Sequence, residues 1–203
     1  MNKDLSTEAK IKEAARRVFI AKGFDGCSSR EIANEAGMNV ALVNYYFRSK
    51  GQLFNLIFQA ALEDFLLSML GVFDTDLTLE NKMRIFIERE YEFITKHPEM
   101  PGFIINELNR GNGCSFDHPE MLQRISDTGI FQDILKAQES GLMRKIDLVS
   151  FTMLIMSNCH FPFLGRPLIT GIHSLSEEQY DQQLIVHKQY VTEMLVNYLF
   201  PQK

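Results

Sequence analysis

The chain has 203 residues, of which 45% are hydrophobic and 23% are charged, and its formal net charge is −5. This composition is typical of a globular protein and excludes a disordered or collagen-like chain. We expect neither a signal peptide nor a transmembrane helix, because no stretch has the required apolar length. The three widely spaced cysteines, Cys27, Cys114 and Cys159, indicate free thiols in a reducing cytoplasm.

Charge is distributed unevenly along the chain. Residues 1–54 hold nine Lys or Arg against six Asp or Glu, a net of +3, whereas residues 55–203 hold 12 against 20, a net of −8. A basic head on an acidic body indicates an anionic partner that binds at the head alone.

Apolar residues recur with a helical period almost throughout, and no convincing run alternates with period two. The sequence therefore predicts an all-α fold of about nine helices. We expect them over about 7–22, 28–36, 39–47, 49–71, 78–97, 102–110, 117–140, 148–159 and 176–200. The fourth helix is apolar on two faces, which predicts burial between two packing partners. Pro162 is expected to kink or break the helix that precedes it.

Residues 29–47 have the pattern of a helix-turn-helix. Ala33 is small enough for two helices to cross closely, and Gly37 tolerates the positive φ of a tight turn. Ser28 with Glu31 forms a capping box at the start of one helix, and Asn39 is a good N-cap for the next. The second helix would then offer its outer face to the major groove of DNA.

Residues 11–58 resemble the N-terminal domain of the TetR family of transcriptional regulators. The matching segments are Ala14 to Phe19, Lys22 to Phe24, Ser28 to Ala33, Ala36 to Gly37 and Tyr45 to Lys50. Two positions depart from the family pattern. Gly51 stands where the family often has an acidic residue, and Asn44 stands where it commonly has tyrosine.

The resemblance implies a DNA-binding domain over residues 1–52 and a helical ligand-binding and dimerisation domain over residues 53–203. It implies a cytoplasmic homodimer on a palindromic DNA operator, with recognition helices about 34–36 Å apart. It further implies a repressor that a small, largely apolar effector releases from DNA.

Candidate DNA contacts follow from the same match. Tyr46 and Lys50 match positions that clamp the phosphate backbone, and a helix N-terminus at residues 28–30 favours phosphate. Asn suits adenine, and an apolar group suits the thymine methyl. The predicted contacts are Ser28, Ser29, Arg30, Asn39, Val40, Ala41, Asn44, Tyr45, Tyr46 and Lys50. Asn39 has an alternative role as a simple N-cap, Tyr46 as part of the core and Lys50 as a solvated helix-end residue.

The last two long helices carry apolar stripes that predict a four-helix dimer interface. The residues are Phe151, Leu154, Ile155, Leu184, His187, Val191, Met194, Leu195 and Tyr198. The alternative is that these stripes pack only inside the monomer. An effector pocket is expected from Phe103, Asn106, Glu107, Phe131, Met153, Met156, His160 and Phe163, a composition that an ordinary core shares.

Two other functions compete with DNA binding: a helical protein-binding adaptor and a small-molecule enzyme. No nucleophile motif, phosphate-binding glycine loop or dinucleotide fingerprint is present, so we expect no catalysis and no cofactor. The five histidines do not have metal-ligand spacing, and we expect no metal. Cys114, in a glycine-rich stretch, leaves a redox role open.

Overall fold

The computed structural model describes residues 6–73, 75–111 and 119–201, and Cys114 lies outside them. The described residues form helices, turns and loops without a strand, which confirms the all-α prediction. Their eleven helices are α1 (Thr7–Lys22), α2 (Ser29–Glu35), α3 (Val40–Phe47), α4 (Lys50–Leu70), α5 (Leu79–Lys96), α6 (Met100–Arg110), α7 (Pro119–Asp127), α8 (Ile130–Glu139), α9 (Leu148–Leu164), α10 (Arg166–His173) and α11 (Glu177–Leu199).

The count of eleven, against the nine predicted, has two local causes. The helix predicted over 117–140 is divided at Gly129, whose φ of +70° is left-handed and ends α7 before α8 begins. Between the predicted helices 148–159 and 176–200, where the sequence predicts no helix, the chain forms the end of α9 and the short helix α10. Both differences lie where a single glycine, Gly129 or Gly165, interrupts an otherwise helical pattern.

Pro162 was expected to kink or break the helix, but it lies inside α9, which continues to Leu164 and ends at Gly165. Proline has no N–H and leaves the carbonyl of residue 158 without its helical donor. The Tyr91 hydroxyl donates a hydrogen bond to that Asn158 carbonyl at 3.2 Å. Tyr180 in turn donates to the Pro162 carbonyl at 2.6 Å. Side chains from α5 and α11 therefore stabilise the proline in the helix.

The axes of α9 and α10 bend by 61° at Gly165. Among the described residues, no single helix is both long enough and apolar enough to cross a bilayer. The bent pair of α9 and α10 meets both requirements only when its two helices are counted together.

The chain folds as two compact units, one of Met1–Asp64 with Glu99–Asp117 and one of Phe65–Pro98 with His118–Lys203. In the first, α1 to α3 and the first part of α4 pack with α6. Its largest fully buried side chains are Ile11, Phe19, Ile32, Leu53, Phe54, Phe58, Leu62 and Met100. The boundary between a DNA-binding domain (residues 1–52) and a ligand-binding and dimerisation domain (residues 53–203) stays a prediction.

The second unit has a core of its own, formed by α5, α8, α9 and α11. Three buried polar side chains link α5 to α8 and to α9. Lys82 donates to the Phe73 carbonyl at 3.0 Å and to Asp133 at 3.1 Å. The His160 ring lies 2.6 Å from the Glu90 carboxylate, and both side chains are at least nine-tenths buried. A buried charge is tolerated only with such partners.

Candidate nucleic-acid interface

The turn between α2 and α3 has the geometry that the sequence predicts. Gly37 adopts a φ of +67°, and the Met38 N–H donates to the Ala33 carbonyl at 2.8 Å. Ile32 and Val43 are buried on the facing sides of the two helices. The turn thus fixes α3 against α2 and leaves the other side of α3 to solvent.

The outer face of α3 carries exposed side chains at positions 41, 44, 45 and 48, which is helical spacing. Tyr45 is 80% exposed, and Ala41 and Asn44 lie beside it on this face. Arg48 completes the face as the C-cap of α3, with a φ of +58° that non-glycine residues rarely adopt. We did not predict Arg48 as a contact, although its basic side chain in the Tyr45 to Lys50 match could have indicated one.

Asn39 is the N-cap of α3, and its side-chain oxygen accepts a hydrogen bond from the Leu42 N–H at 2.8 Å. The side-chain oxygen of Asn39 therefore serves as the N-cap, which was its alternative role. The amide NH₂ group of the same side chain can still donate to a base. Val40 is half-buried at the first turn of the helix. Tyr46, 40% exposed, packs its ring against Tyr45 and Phe47.

The predicted capping box is present at the start of α2. Ser28 accepts from the Glu31 N–H at 3.2 Å, and Glu31 accepts from the Ser28 N–H at 2.7 Å. Lys22 donates to the same carboxylate at 2.8 Å and, with the Ser28 bonds, lowers the pKa of Glu31 to about 2. The side chain of Ser28 is thus used within the helix. Ser29 is half-buried and Arg30 is exposed at the next two positions.

Lys50 is placed differently from the phosphate clamp that the resemblance implies. Its ammonium group donates to the Phe24 carbonyl at 2.8 Å and to the Cys27 carbonyl at 2.9 Å. It also lies 4.2 Å from the centre of the Phe24 ring. Lys50 therefore links the start of α4 to the turn between α1 and α2. This position differs from both roles considered from the sequence, a phosphate clamp and a solvated helix-end residue.

The predicted effector residues are divided between the two units. In the first unit, Phe103 and Glu107 are buried and Asn106 is exposed. In the second unit, Phe131, Met153 and Met156 are exposed, His160 is bound to Glu90, and Phe163 borders a cavity of about 450 Å³. A common pocket for these eight residues stays a prediction.

A cavity of about 600 Å³ lies within the second unit, among the end of α9, α10 and α11. Its walls are mainly apolar or aromatic and include no Lys, Arg, Asp or Glu. Desolvation lowers the pKa of His187, which favours its neutral imidazole form. The lining residues are Phe161, Pro162, Ile169, His173, Leu175, Tyr180, Gln183, Leu184, Val186, His187 and Tyr190.

Four of the residues predicted at a dimer interface are instead part of the core of the second unit. They are at most 7% exposed and are Ile155, Leu184, Val191 and Leu195. These four side chains pack inside the monomer, and the predicted dimer interface itself stays a prediction. Phe151 and Leu154 are half-buried, and His187, Met194 and Tyr198 are exposed.

The same two helices expose a second apolar face. Val149, Met153 and Met156 recur at helical spacing on α9, and each is at least 41% exposed. On α11, Tyr190 and Met194 are exposed in the same way. An exposed apolar face of this kind is what contact with a second chain would cover. Of its residues only Met194 was predicted at the dimer interface, and that interface stays a prediction.

The described cysteines, Cys27 and Cys159, are free and buried. Burial raises the pKa of both thiols, so neither is a ready nucleophile. Within residues 6–73, 75–111 and 119–201, no three His, Cys, Asp or Glu side chains are grouped closely enough to hold a metal ion.

Comparison with known proteins identifies the helix-turn-helix. Residues 11–57 match the family model described as bacterial regulatory proteins, tetR family. The probable HTH-type transcriptional regulator YttP of Bacillus subtilis is 53% identical over 49 residues, which is 24% of each chain, so the match spans about a quarter of YttP. The HTH-type transcriptional repressor NicS of Pseudomonas putida is 27% identical over 164 residues, covering 76% of this chain and 74% of NicS.

The fold is also that of a solved regulator. A TetR family transcription regulator from Marinobacter aquaeolei superimposes with a TM-score of 0.67 and 18% identity, and the match covers 97% of each chain. The matched relatives are transcriptional regulators rather than enzymes.

Proposed function

From the premise that this chain is a TetR-family transcriptional regulator with a DNA-binding helix-turn-helix, we propose that it is a cytoplasmic homodimeric repressor. The observation that carries the proposal is the outer face of α3, where polar and aromatic side chains stand clear of the core. The name of NicS, a repressor that matches three quarters of the chain, supports repression over activation.

DNA recognition would divide between base reading and phosphate binding. Ala41, Asn44 and Tyr45 occupy the face of α3 that a major groove would meet, together with Asn39 and Val40 at its start. Tyr46 and Arg48 flank that face, where phosphates run. The amides of Ser29 and Arg30 are the ones that the capping box leaves for phosphate.

Asn44→Ala tests base reading. We expect affinity for the selected operator to fall by about 1–3 kcal/mol, because a bidentate contact to adenine is lost, with little change on unrelated DNA. The operator is first obtained by selecting a duplex from a random-sequence pool with the wild-type chain, and affinity is then measured by fluorescence anisotropy. Asn34→Ala, an exposed asparagine on α2, is the matched control. Equal losses on both duplexes would assign Asn44 to phosphate binding instead.

The effector would be a small, uncharged and largely apolar molecule bound in the cavity of about 600 Å³. Its volume is within the range of ligand pockets. No Lys, Arg, Asp or Glu side chain lines it, so a charged ligand would lose its hydration without a permanently charged partner. His173, Gln183 and His187 can supply hydrogen bonds that orient the ligand.

Ile169→Trp tests this cavity by filling it. We expect the wild-type chain to bind the uncharged dye Nile red with a blue-shifted emission, and the variant to lose at least about tenfold in affinity because the added ring occupies the space. Leu142→Trp, an exposed position outside the lining, is the control. Dye binding that survives in Ile169→Trp would place the apolar site elsewhere.

The two competing functions are less well supported. An adaptor that binds only protein would not need the exposed face of α3 beside a capped helix N-terminus. Among the described residues, both thiols are buried with raised pKa values, which makes them poor nucleophiles for catalysis. If the wild-type chain enriches no duplex from the random-sequence pool, the proposed function is wrong.

A further inference from the structure

We infer that Glu107 of α6 is a positioning residue for DNA binding, which holds the turn between α1 and α2 in the conformation that DNA recognition needs. This inference rests on the proposed function. Glu107 belongs to the same compact unit as the helix-turn-helix, although it is far from it in sequence. The contacts of its carboxylate carry the argument.

The Glu107 side chain is only 2% exposed. Its Oε1 atom accepts a hydrogen bond from the Phe24 N–H at 3.4 Å, across 83 residues of sequence, and another from Arg110 at 3.0 Å. Its Oε2 atom is buried without a hydrogen-bond partner. A carboxylate that is buried and only half satisfied costs stability, so stability alone does not explain its presence.

The turn that Glu107 contacts is held from two sides. The Phe24 N–H donates to Glu107 of α6, and the Phe24 carbonyl accepts from Lys50 of α4. The Phe24 ring packs against Phe54 with ring centres 4.9 Å apart. The backbone N–H and carbonyl of Phe24 are therefore both bound to charged side chains. Phe24 lies immediately before the segment that leads into α2.

The close approach of α6 to this turn is visible at Gly23. Its φ is +69°, and a Cβ atom at this position would lie 2.7 Å from both Arg110 Nη1 and Glu107 Oε1. Only glycine allows the carboxylate and the guanidinium to come so close to the backbone. The end of α1 and the Glu107–Arg110 pair are thus fitted to one another.

These contacts make α6 a part of the DNA-binding unit. The turn sets the path of the chain from α1 into α2, and α2 packs directly against α3. Loss of the Glu107 contact would leave α2 and α3 folded but free to change their orientation relative to α1. The consequence is a weaker fit to DNA rather than a loss of fold.

Glu107→Leu separates positioning from stability. The substitution removes the unpartnered Oε2, and the guanidinium of Arg110, already 44% exposed, can turn to solvent, so we expect Tm to stay near the wild-type value. We expect affinity for the selected duplex to fall about tenfold, because a hydrogen bond to a charged group is lost. Fluorescence anisotropy and thermal unfolding of the full chain measure the two effects.

Two variants complete the experiment. Glu107→Gln keeps an oxygen that can accept from Phe24 and should restore affinity to within about threefold of wild type. Asn109→Leu, exposed on the same helix, should change neither quantity. Wild-type affinity in Glu107→Leu, or a parallel fall of affinity and Tm, overturns the inference. Failure of the wild-type chain to select any duplex overturns the proposed function instead.

Discussion

We expect the replacement of Met153 with glutamate to prevent the proposed dimerisation and to weaken operator binding at least about 100-fold, because the second recognition helix would no longer act at a high effective concentration. Met153 is 64% exposed on the outer apolar face of α9. A carboxylate there would be desolvated without a partner in any interface that buries this face. Light scattering at micromolar concentration and anisotropy on the selected duplex measure the two effects.

A matched control is available in the same unit. Leu135, on α8, is 54% exposed and lies outside the face formed by α9 and α11. Leu135→Glu should leave the dimer and its DNA affinity unchanged. A dimer that persists in Met153→Glu would show that α9 does not form the interface, and monomeric wild-type protein would remove the proposed dimer altogether.

Replacing Lys50 with methionine will weaken binding to every DNA sequence by about tenfold or more and lower the free energy of unfolding by about 2 kcal/mol. Methionine has a similar length but cannot donate, so the carbonyls of Phe24 and Cys27 lose their charged donor. The backbone of the turn between α1 and α2 would then have a charged hydrogen-bond partner from α6 alone. Anisotropy on selected and unrelated duplexes, with urea unfolding, tests both parts.

The control for Lys50 is Lys12→Met. Lys12 pairs with Glu8 at 2.6 Å in a solvent-exposed contact within α1, and such pairs contribute little. A direct phosphate clamp would give a different result for Lys50→Met. Stability would then be unchanged, and the slope of log affinity against log salt would fall by about 0.9 for each phosphate released.

Local features of the fold could be predicted because a few neighbouring residues determine them. The capping box at Ser28, the N-cap at Asn39 and the positive φ of Gly37 all depend on contacts within one or two turns. The end of α5 before Pro98 follows from the geometry of proline in the same way. These features place α3 and its exposed face, and with them most of the candidate DNA contacts.

Long-range contacts could not be predicted in this way. Lys50 binds carbonyls 26 and 23 residues away, and Glu107 reaches the amide of Phe24 across 83 residues. The continuation of α9 through Pro162 depends on Tyr91, which lies 67 residues before Asn158. A helical pattern carries no information about which distant side chain will meet an unpaired carbonyl.

The amino-acid sequence by itself determined the helical class, the ends of most helices and the helix-turn-helix, because helix formation and capping are local. Only the tertiary structure decided which apolar stripe of α9 and α11 is core and which is surface. Ile155 and Leu195 are buried while Met153 and Met194 are exposed, although all four are apolar at helical spacing. The physical reason is that periodicity identifies an apolar face, whereas the packing of other helices determines whether that face is covered.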